Sequence, residues 1–202
     1  TLLMRYDEPN GGFSNAPKFP TPHNIMFLLR YWFVYKEEKA LEMAKNTLIK
    51  MYKGGIFDHV GFGFSRYSTD EKWLVPHFEK MLYDNALMAI CYIEAYQVTK
   101  HDIFKKISEK VLHFILREMT SEEGSFYSAQ DADSEGEEGK FYTFEKKEIL
   151  EVLGTLEGEK FCSIYGISND GNFENKNILN LINVENVNFD KFSEECIKKL
   201  FL

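Results

Sequence analysis

The residue types most able to do chemistry are concentrated between positions 54 and 86, in the segment GGIFDHVGFGFSRYSTDEKWLVPHFEKMLYDNA. This segment contains two histidines, an arginine, a tryptophan and several carboxylates, and its glycines fit neither a helix nor a strand. Loops of this composition usually form a functional site rather than a core. The segment therefore predicts the place of a site more clearly than it predicts a reaction.

One set of these residues has helical spacing. They are His77, Met81, Asp84 and Met88, separated by 4, 3 and 4 positions. This spacing predicts one face of a helix that begins at Pro76. As catalytic candidates, His77 and Asp84 could then donate and accept a proton, and the helix N-terminus would favour a neutral histidine. The structural alternative is that His77 caps the helix and Asp84 bonds to a loop.

The other candidates lie nearby in sequence. His59 lies in a glycine-rich loop, from which it could enter a cleft as a second catalytic histidine. Arg66 with Tyr67 could hold a carboxylate, a phosphate or sugar hydroxyls, and Trp73 offers a flat face for a sugar ring. Glu79 is a further substrate-binding candidate, although a regular helix would place it roughly opposite the catalytic face. The alternatives are an ion pair for Arg66 and a place in the core for Trp73.

Residues 131–136, DADSEG, resemble the first half of a calcium-binding loop. The position that should supply a bidentate acid is Tyr142, so we predict no metal site. Asp131 is assigned as a catalytic candidate and Asp133 as a substrate-binding candidate in a polar cleft, with a solvated acidic loop as the alternative. No Walker loop, nucleophile elbow or complete dinucleotide fingerprint occurs in the sequence, and no cofactor is predicted.

The elements that must position these residues are helices. Long helices are predicted at 22–35, 38–53, 76–99 and 102–119, and shorter ones at 145–152, 157–166 and 189–201. Glycine closely followed by phenylalanine recurs between them, at Gly12, Gly55, Gly124 and Gly171. These loops predict helical hairpins arranged around an axis, with short β-hairpin segments in the loops. The alternative is a chance recurrence in a chain with 18 Phe residues.

Composition restricts the partners and the compartment. A formal charge of −8 argues against nonspecific nucleic-acid binding, and no apolar run approaches the roughly 18–20 residues of a membrane span. The three cysteines lack metal-site spacing, which is typical of reduced, buried thiols in a cytoplasmic protein. The first residue, Thr1, and the apolar ending Phe201-Leu202 suggest a segment of a longer polypeptide, whose exposed flanks would favour self-association.

Several longer motifs resemble one known family. They are APKFP at 16–20, DHVG at 58–61, FSRYSTD at 64–70, WLVPHFEKMLYDNA at 73–86, SAQDADSE at 128–135 and GNFE at 171–174. In this order they are similar to the spermatogenesis-associated, thioredoxin-domain-containing family, over about residues 9–180. Phe62 and Asn175 depart from the family pattern, which has glycine at both positions, and Phe62 would narrow the candidate site.

The resemblance implies a thioredoxin-like domain followed by a six-hairpin, glycosidase-like (α/α)6 toroid, which is an all-α fold. Residues 1–202 would form a single domain that comprises only the early hairpins of this toroid. The thioredoxin-like domain would precede Thr1 in the same polypeptide. The relatives of the toroid include sugar epimerases and glycoside hydrolases, which act on sugars in the central cavity with histidine or acid pairs.

Two functions are consistent with these expectations. In the first, a carbohydrate or another small polar ligand is processed in the cavity. His59 or His77 moves a proton, Asp84 or Asp131 assists, and the substrate-binding candidates orient the sugar, whereas the segment alone is expected to be inactive. In the second, the chain is a noncatalytic binding or scaffolding module that serves the thioredoxin-like domain.

Overall fold

The computed structural model describes residues 1–201. In this range the helices are α1 (Leu2–Arg5), α2 (Pro22–Tyr35), α3 (Glu38–Lys53), α4 (Leu82–Thr99), α5 (Asp102–Glu118), α6 (Lys146–Leu153), α7 (Thr155–Ile164) and α8 (Lys191–Phe201). The strands are β1 (Tyr67–Ser68), β2 (Pro76–His77), β3 (Lys80–Met81), β4 (Ala129–Gln130), β5 (Asp133–Ser134) and β6 (Glu137–Glu138). They pair as three antiparallel two-stranded sheets, β1–β2, β3–β4 and β5–β6. The predicted helical fold with short β segments in its loops is confirmed.

The four long helices form two layers. α2 and α4 lie side by side, α3 packs on α2, and α5 packs on α4. α3 and α5 are apolar on one side and charged on the other, as expected of outer helices. α2 and α4 carry apolar residues on both sides, including the partly exposed Phe27, Tyr31, Ile90 and Ile93. Helices that are apolar all round are buried on two sides in a closed structure, so α2 and α4 are the inner helices.

The exposed aromatic residues of α2 lead to a prediction about association. Phe27, Tyr31 and Tyr35 form a column, with neighbouring ring centroids 5.7 and 4.6 Å apart. In the 202-residue chain alone we expect this column to drive self-association, because a contiguous apolar surface gains from burial. Light scattering should show oligomers that Tyr31→Lys dissociates. Leu156→Lys, at an isolated leucine of α7 that is 88% exposed, is the control, and a monomeric parent chain would contradict the prediction.

α4 begins at Leu82 and not at Pro76, which corrects the predicted helix. Pro76 and His77 form β2, and the chain then enters β3. From Pro76 to Met81 every second residue is buried, which is the period of a strand. The helical spacing between His77 and Asp84 therefore does not reflect a helix.

The other helix predictions are confirmed to within a few residues. α2 and α3 have the predicted bounds, α5 ends one residue earlier than predicted, and α6, α7 and α8 lie where the shorter helices were expected. Residues 140–142 form a 3-10 turn. The three cysteines, Cys91, Cys162 and Cys196, are buried and free. Across the described range, none of the helices combines the length and the apolarity that crossing a bilayer requires.

Candidate functional site

Three of the predicted residues meet where the β1–β2 sheet approaches the first turn of α4. The backbone N–H of Arg66 donates to the Glu79 carbonyl at 2.8 Å, and Arg66 Nη1 donates to the Glu79 carboxylate at 2.9 Å. Asp84 lies in the first turn of α4, where the charge of Arg66 acts on its carboxyl group. We call Arg66, Glu79, Tyr83 and Asp84 the Arg66 site. Because α4 is an inner helix, this site lies at one end of the inner layer.

The Asp84 carboxyl has the properties of a proton-transfer group. Only 8% of the residue is exposed, and Oδ2 has no hydrogen-bond partner among residues 1–201. Burial raises the pKa of Asp84 from 3.8 to about 6, against the opposing effects of Arg66 and the Tyr83 hydroxyl. A carboxyl group with a pKa this close to neutrality can both accept and donate a proton under physiological conditions.

A second group of predicted residues lies further along the same sheet. Tyr67 and His77 pair across β1 and β2, and their rings stack with centroids 5.1 Å apart. His77 Nδ1 lies 2.7 Å from Glu138 Oε1. Because an ionised carboxylate can only accept a hydrogen bond, His77 Nδ1 is the donor of this contact. Phe19 packs on Tyr67 at 4.9 Å, so partly exposed aromatic rings border the histidine.

His77 and Asp84 do not share a helix face, contrary to the prediction. His77 belongs to β2 and bonds to Glu138, whereas Asp84 belongs to α4 and lies near Arg66. Each acid–base candidate therefore has its own neighbours. Arg66 is the charged neighbour of Asp84, and Glu138 is that of His77.

His59 is a core residue and not a cleft residue. It is 3% exposed and lies against the rings of Tyr52, Phe57 and Tyr165, with centroids 5.3, 5.3 and 5.5 Å away. The adjoining cavity has a volume of about 20 Å³, far below the roughly 300–1,000 Å³ of ligand pockets. Burial lowers the pKa of His59 from 6.5 to about 4. The catalytic role predicted for His59 is therefore not supported by its position.

The buried imidazole predicts an acid-sensitive contribution to stability. The pKa of His59 is about 4 in the folded protein and 6.5 without burial, so between these values the unfolded chain binds the extra proton. The contribution of His59 is fully present above pH 6.5 and is lost as the pH falls to 4, by about 3 kcal/mol. Urea denaturation of His59→Phe should lack this part of the pH dependence. His101→Phe, at an exposed histidine, should retain it; an unchanged profile in His59→Phe would contradict the assignment.

Trp73 cannot stack on a sugar, contrary to the prediction, because it is fully buried. Its indole N–H donates to the Asn10 carbonyl at 2.9 Å, and the Lys18 ammonium lies 5.1 Å from the ring centroid. A Cβ atom at Gly54 would lie 2.2 Å from the Trp73 carbonyl oxygen, so the glycine permits this close packing. The core alternative is therefore correct for Trp73, and Tyr67 with Phe19 supplies the exposed aromatic surface.

Asp131 and Asp133 lie in a solvent-exposed loop, as the alternative reading had it. Asp131 Oδ1 accepts a hydrogen bond from the Asp133 N–H at 3.1 Å, and Asp133 pairs with Glu138 between β5 and β6. The hairpin thus reaches the candidate residues through Glu138. Within the part of the chain that the structure describes, no group of three or more His, Cys, Asp or Glu side chains could hold a metal ion. The roles of Asp131 and Asp133 stay predictions.

Phe62 does not narrow the Arg66 site, contrary to the expectation. Its ring lies against α5, with Lys110 Nζ 4.2 Å and the His113 ring 6.3 Å from its centroid. Its φ of 68° is in the left-handed region, which glycine adopts without strain. The departure from glycine at this position therefore adds an aromatic contact to α5.

Sequence reasoning missed three residues near the candidate groups. Tyr83 directly precedes Asp84 and could have been found by its position. Phe19 and Glu138 contact Tyr67 and His77 from distant parts of the chain, and no local pattern indicates these contacts.

The fold is part of an (α/α)6 toroid, as solved structures show. The chain matches a cellobiose 2-epimerase from Bacillus thermoamylovorans B4167 with a TM-score of 0.57, at 17% identity, over 98% of this chain and 50% of the other. It matches a sugar epimerase from a ruminal bacterium with a TM-score of 0.58, at 15% identity, over 78% of this chain and 45% of the other. The predicted partial toroid is confirmed, and the chain covers about half of each neighbour.

Sequence relatives define the family. Spermatogenesis-associated protein 20 from Homo sapiens is 42% identical over 186 residues, which is 83% of this chain. Uncharacterized protein B0495.5 from Caenorhabditis elegans is 39% identical over 162 residues, or 74% of this chain. The chain belongs to the spermatogenesis-associated protein family, which confirms the resemblance seen in the motifs. No family model matches the chain.

The chain is much shorter than these relatives. It spans 24% of the length of the human protein and 22% of that of the C. elegans protein. The thioredoxin-like domain expected before Thr1 stays a prediction.

Proposed function

We propose that this chain carries the carbohydrate-binding and proton-transfer site of a toroid related in fold to the sugar epimerases. The Asp84 carboxyl is the observation that carries the proposal. It is buried, Oδ2 is without a hydrogen-bond partner in the described residues, and it lies beside Arg66 at the end of an inner helix. The fold supports the proposal but does not transfer a reaction.

In the proposed reaction, Asp84 takes a proton from the sugar or returns it. Arg66 is fixed by its two hydrogen bonds to Glu79 and orients a hydroxyl or carbonyl oxygen of the sugar beside Asp84. Tyr67 and Phe19 pack against the apolar face of the sugar ring. His77, oriented by Glu138, is the second proton-transfer group.

Calorimetry of the full-length protein with a library of mono- and disaccharides tests this proposal. Arg66→Ala should weaken the binding of any sugar that binds by about tenfold or more, because a hydrogen bond to a charged group is lost. Arg30→Ala is the matched control, since Arg30 is also paired with a glutamate, Glu94, near the opposite end of α4. The proposal is wrong if no sugar binds or if both variants lose affinity equally.

One observation favours the noncatalytic alternative as a second candidate. The Arg66–Glu79 and His77–Glu138 pairs are satisfied within the protein, as in a structural network. In this case the cleft only binds a ligand or peptide beside the thioredoxin-like domain. His77→Ala would then lower the melting temperature without changing the thiol chemistry of that domain. A loss of sugar turnover in a folded His77→Ala protein would exclude this alternative.

A further inference from the structure

The cations of the Arg66 site are already neutralised by the protein. Arg66 is bound to the Glu79 carboxylate at 2.9 Å. Lys80, the next cation along β3, points into the core, where its ammonium donates to Asp58 Oδ2 at 2.7 Å and to the Phe62 carbonyl at 2.8 Å. It is 2% exposed and is not available to a ligand. The site thus offers an anionic ligand no unpaired positive charge among the residues that the structure describes.

The group that does lack a partner is a hydrogen-bond acceptor. Asp84 Oδ2 is buried and accepts no hydrogen bond within residues 1–201. An ionised carboxylate can only accept, and a buried acceptor without a donor is unfavourable. A ligand that fits this atom must therefore bring a donor, such as a sugar hydroxyl, and an oxyanion next to Asp84 would be repelled.

The region that contacts His77 is also negatively charged. Glu138 accepts from His77, and the β5–β6 region before it contributes Asp131, Asp133, Glu135 and Glu137. Of these, Glu135 pairs with Lys140 and Glu137 pairs with Lys176. Asp131 and Asp133 have no cationic partner within the described range. The β5–β6 region that reaches His77 through Glu138 is therefore acidic.

From these contacts we infer that the site selects hydroxyl-rich ligands without a negative charge and rejects sugar phosphates and sugar acids. The inference depends on the proposed carbohydrate function and names the class of sugar. It also limits Arg66: with Glu79 bound to it, Arg66 positions a neutral oxygen and is not a carboxylate or phosphate clamp. The rejection should weaken as salt is added, because repulsion between exposed charges is screened.

The test compares the same sugar ring in differently charged forms. Calorimetry of the full-length protein would use each neutral sugar that binds, its 6-phosphate and its uronic acid. At low salt the charged forms should bind at least about tenfold more weakly than the neutral sugar, since like charges brought together are strongly unfavourable. In Glu79→Gln, which frees Arg66 from its carboxylate, the ratio of the affinity for the neutral sugar to the affinity for its charged forms should fall. Glu71→Gln, at an exposed glutamate, should leave the ratio unchanged.

Each outcome separates this inference from the proposed function. A phosphate or uronic acid that binds as tightly as the neutral sugar overturns the inference and leaves carbohydrate binding in place. An unchanged ratio in Glu79→Gln overturns the assignment of Arg66 and Glu79. If no sugar of any charge binds, the proposed function is wrong, and the inference falls with it.

Discussion

Replacing Asp84 with asparagine should stabilise the protein at neutral pH while removing the proton-transfer group that we propose for it. Because the folded pKa of about 6 lies above the unburied value of 3.8, the native state holds its proton more tightly than the unfolded chain. The ionised carboxyl is therefore unfavourable at pH 7, and Asp84→Asn should gain about 1–3 kcal/mol there. Loss of a general acid–base group should lower the rate by about 10²–10⁴-fold.

The sign of the stability change is specific to this pKa. As the pH falls through 6 towards 3.8 the wild-type carboxyl becomes protonated, so the gain of Asp84→Asn should shrink and vanish below about pH 4. Urea denaturation at pH 7 and pH 4 measures this difference in the free energy of unfolding between Asp84→Asn and the wild type. Asp102→Asn is the matched control, since Asp102 is an exposed aspartate in the first turn of α5, and it should change stability by less than about 0.5 kcal/mol. A loss of stability at pH 7 in Asp84→Asn would identify Asp84 as a structural anchor.

Lys80→Met should produce the largest loss of stability, about 3–5 kcal/mol. Lys80 is buried and paired with Asp58, whose side chain is 14% exposed, and its ammonium lies 4.5 Å from the centroid of the Tyr142 ring and 4.8 Å from that of Phe114. Methionine keeps most of the side-chain volume but leaves the Asp58 carboxylate without its charge partner. Since this pair holds the loop before β1 against β3, its loss should also disturb the Arg66 site.

A double-mutant cycle isolates the ion pair from the packing. Adding Asp58→Asn to Lys80→Met removes the stranded charge, so the double variant should lose less stability than the sum of the single variants. Lys72→Met, at an exposed lysine, is the control and should be close to neutral. Additive losses in the denaturant midpoints would contradict a coupled pair.

Helices in which the apolar residues follow a single clear period could be predicted from the sequence. α2 and α3 have long helical stripes, and both begin and end as predicted. Two patterns overlap between Pro76 and Asp84. The spacings of 4 and 3 positions from His77 to Asp84 indicate a helix, whereas buried and accessible residues alternate from Pro76 to Met81 as in a strand. The pairing of β2 with β1 and of β3 with β4 decides between them, and pairing between distant segments is not visible in one local pattern.

The sequence located the segment that carries the candidate residues, but only some of these residues come together in the structure. Arg66, Glu79 and Asp84 come from the same loop-rich segment and lie close together in the structure. His59 and Trp73 lie in the same segment but are buried, because Tyr165 and Asn10 approach from distant parts of the chain. The local sequence shows which residue types could do chemistry, whereas the burial of each side chain depends on contacts across the whole fold.

A structure of the full-length protein with a neutral sugar tests the central claim most directly. The sugar should lie at the end of α4 with a hydroxyl about 2.5–3.0 Å from an Asp84 carboxylate oxygen, and Arg66 should contact the ligand while remaining bound to Glu79. Asp84→Asn crystals soaked in the same way should retain the fold, so that any loss of density reports on the site. A sugar bound elsewhere in the toroid, with Asp84 and Arg66 untouched, would contradict the claim that this chain carries the site.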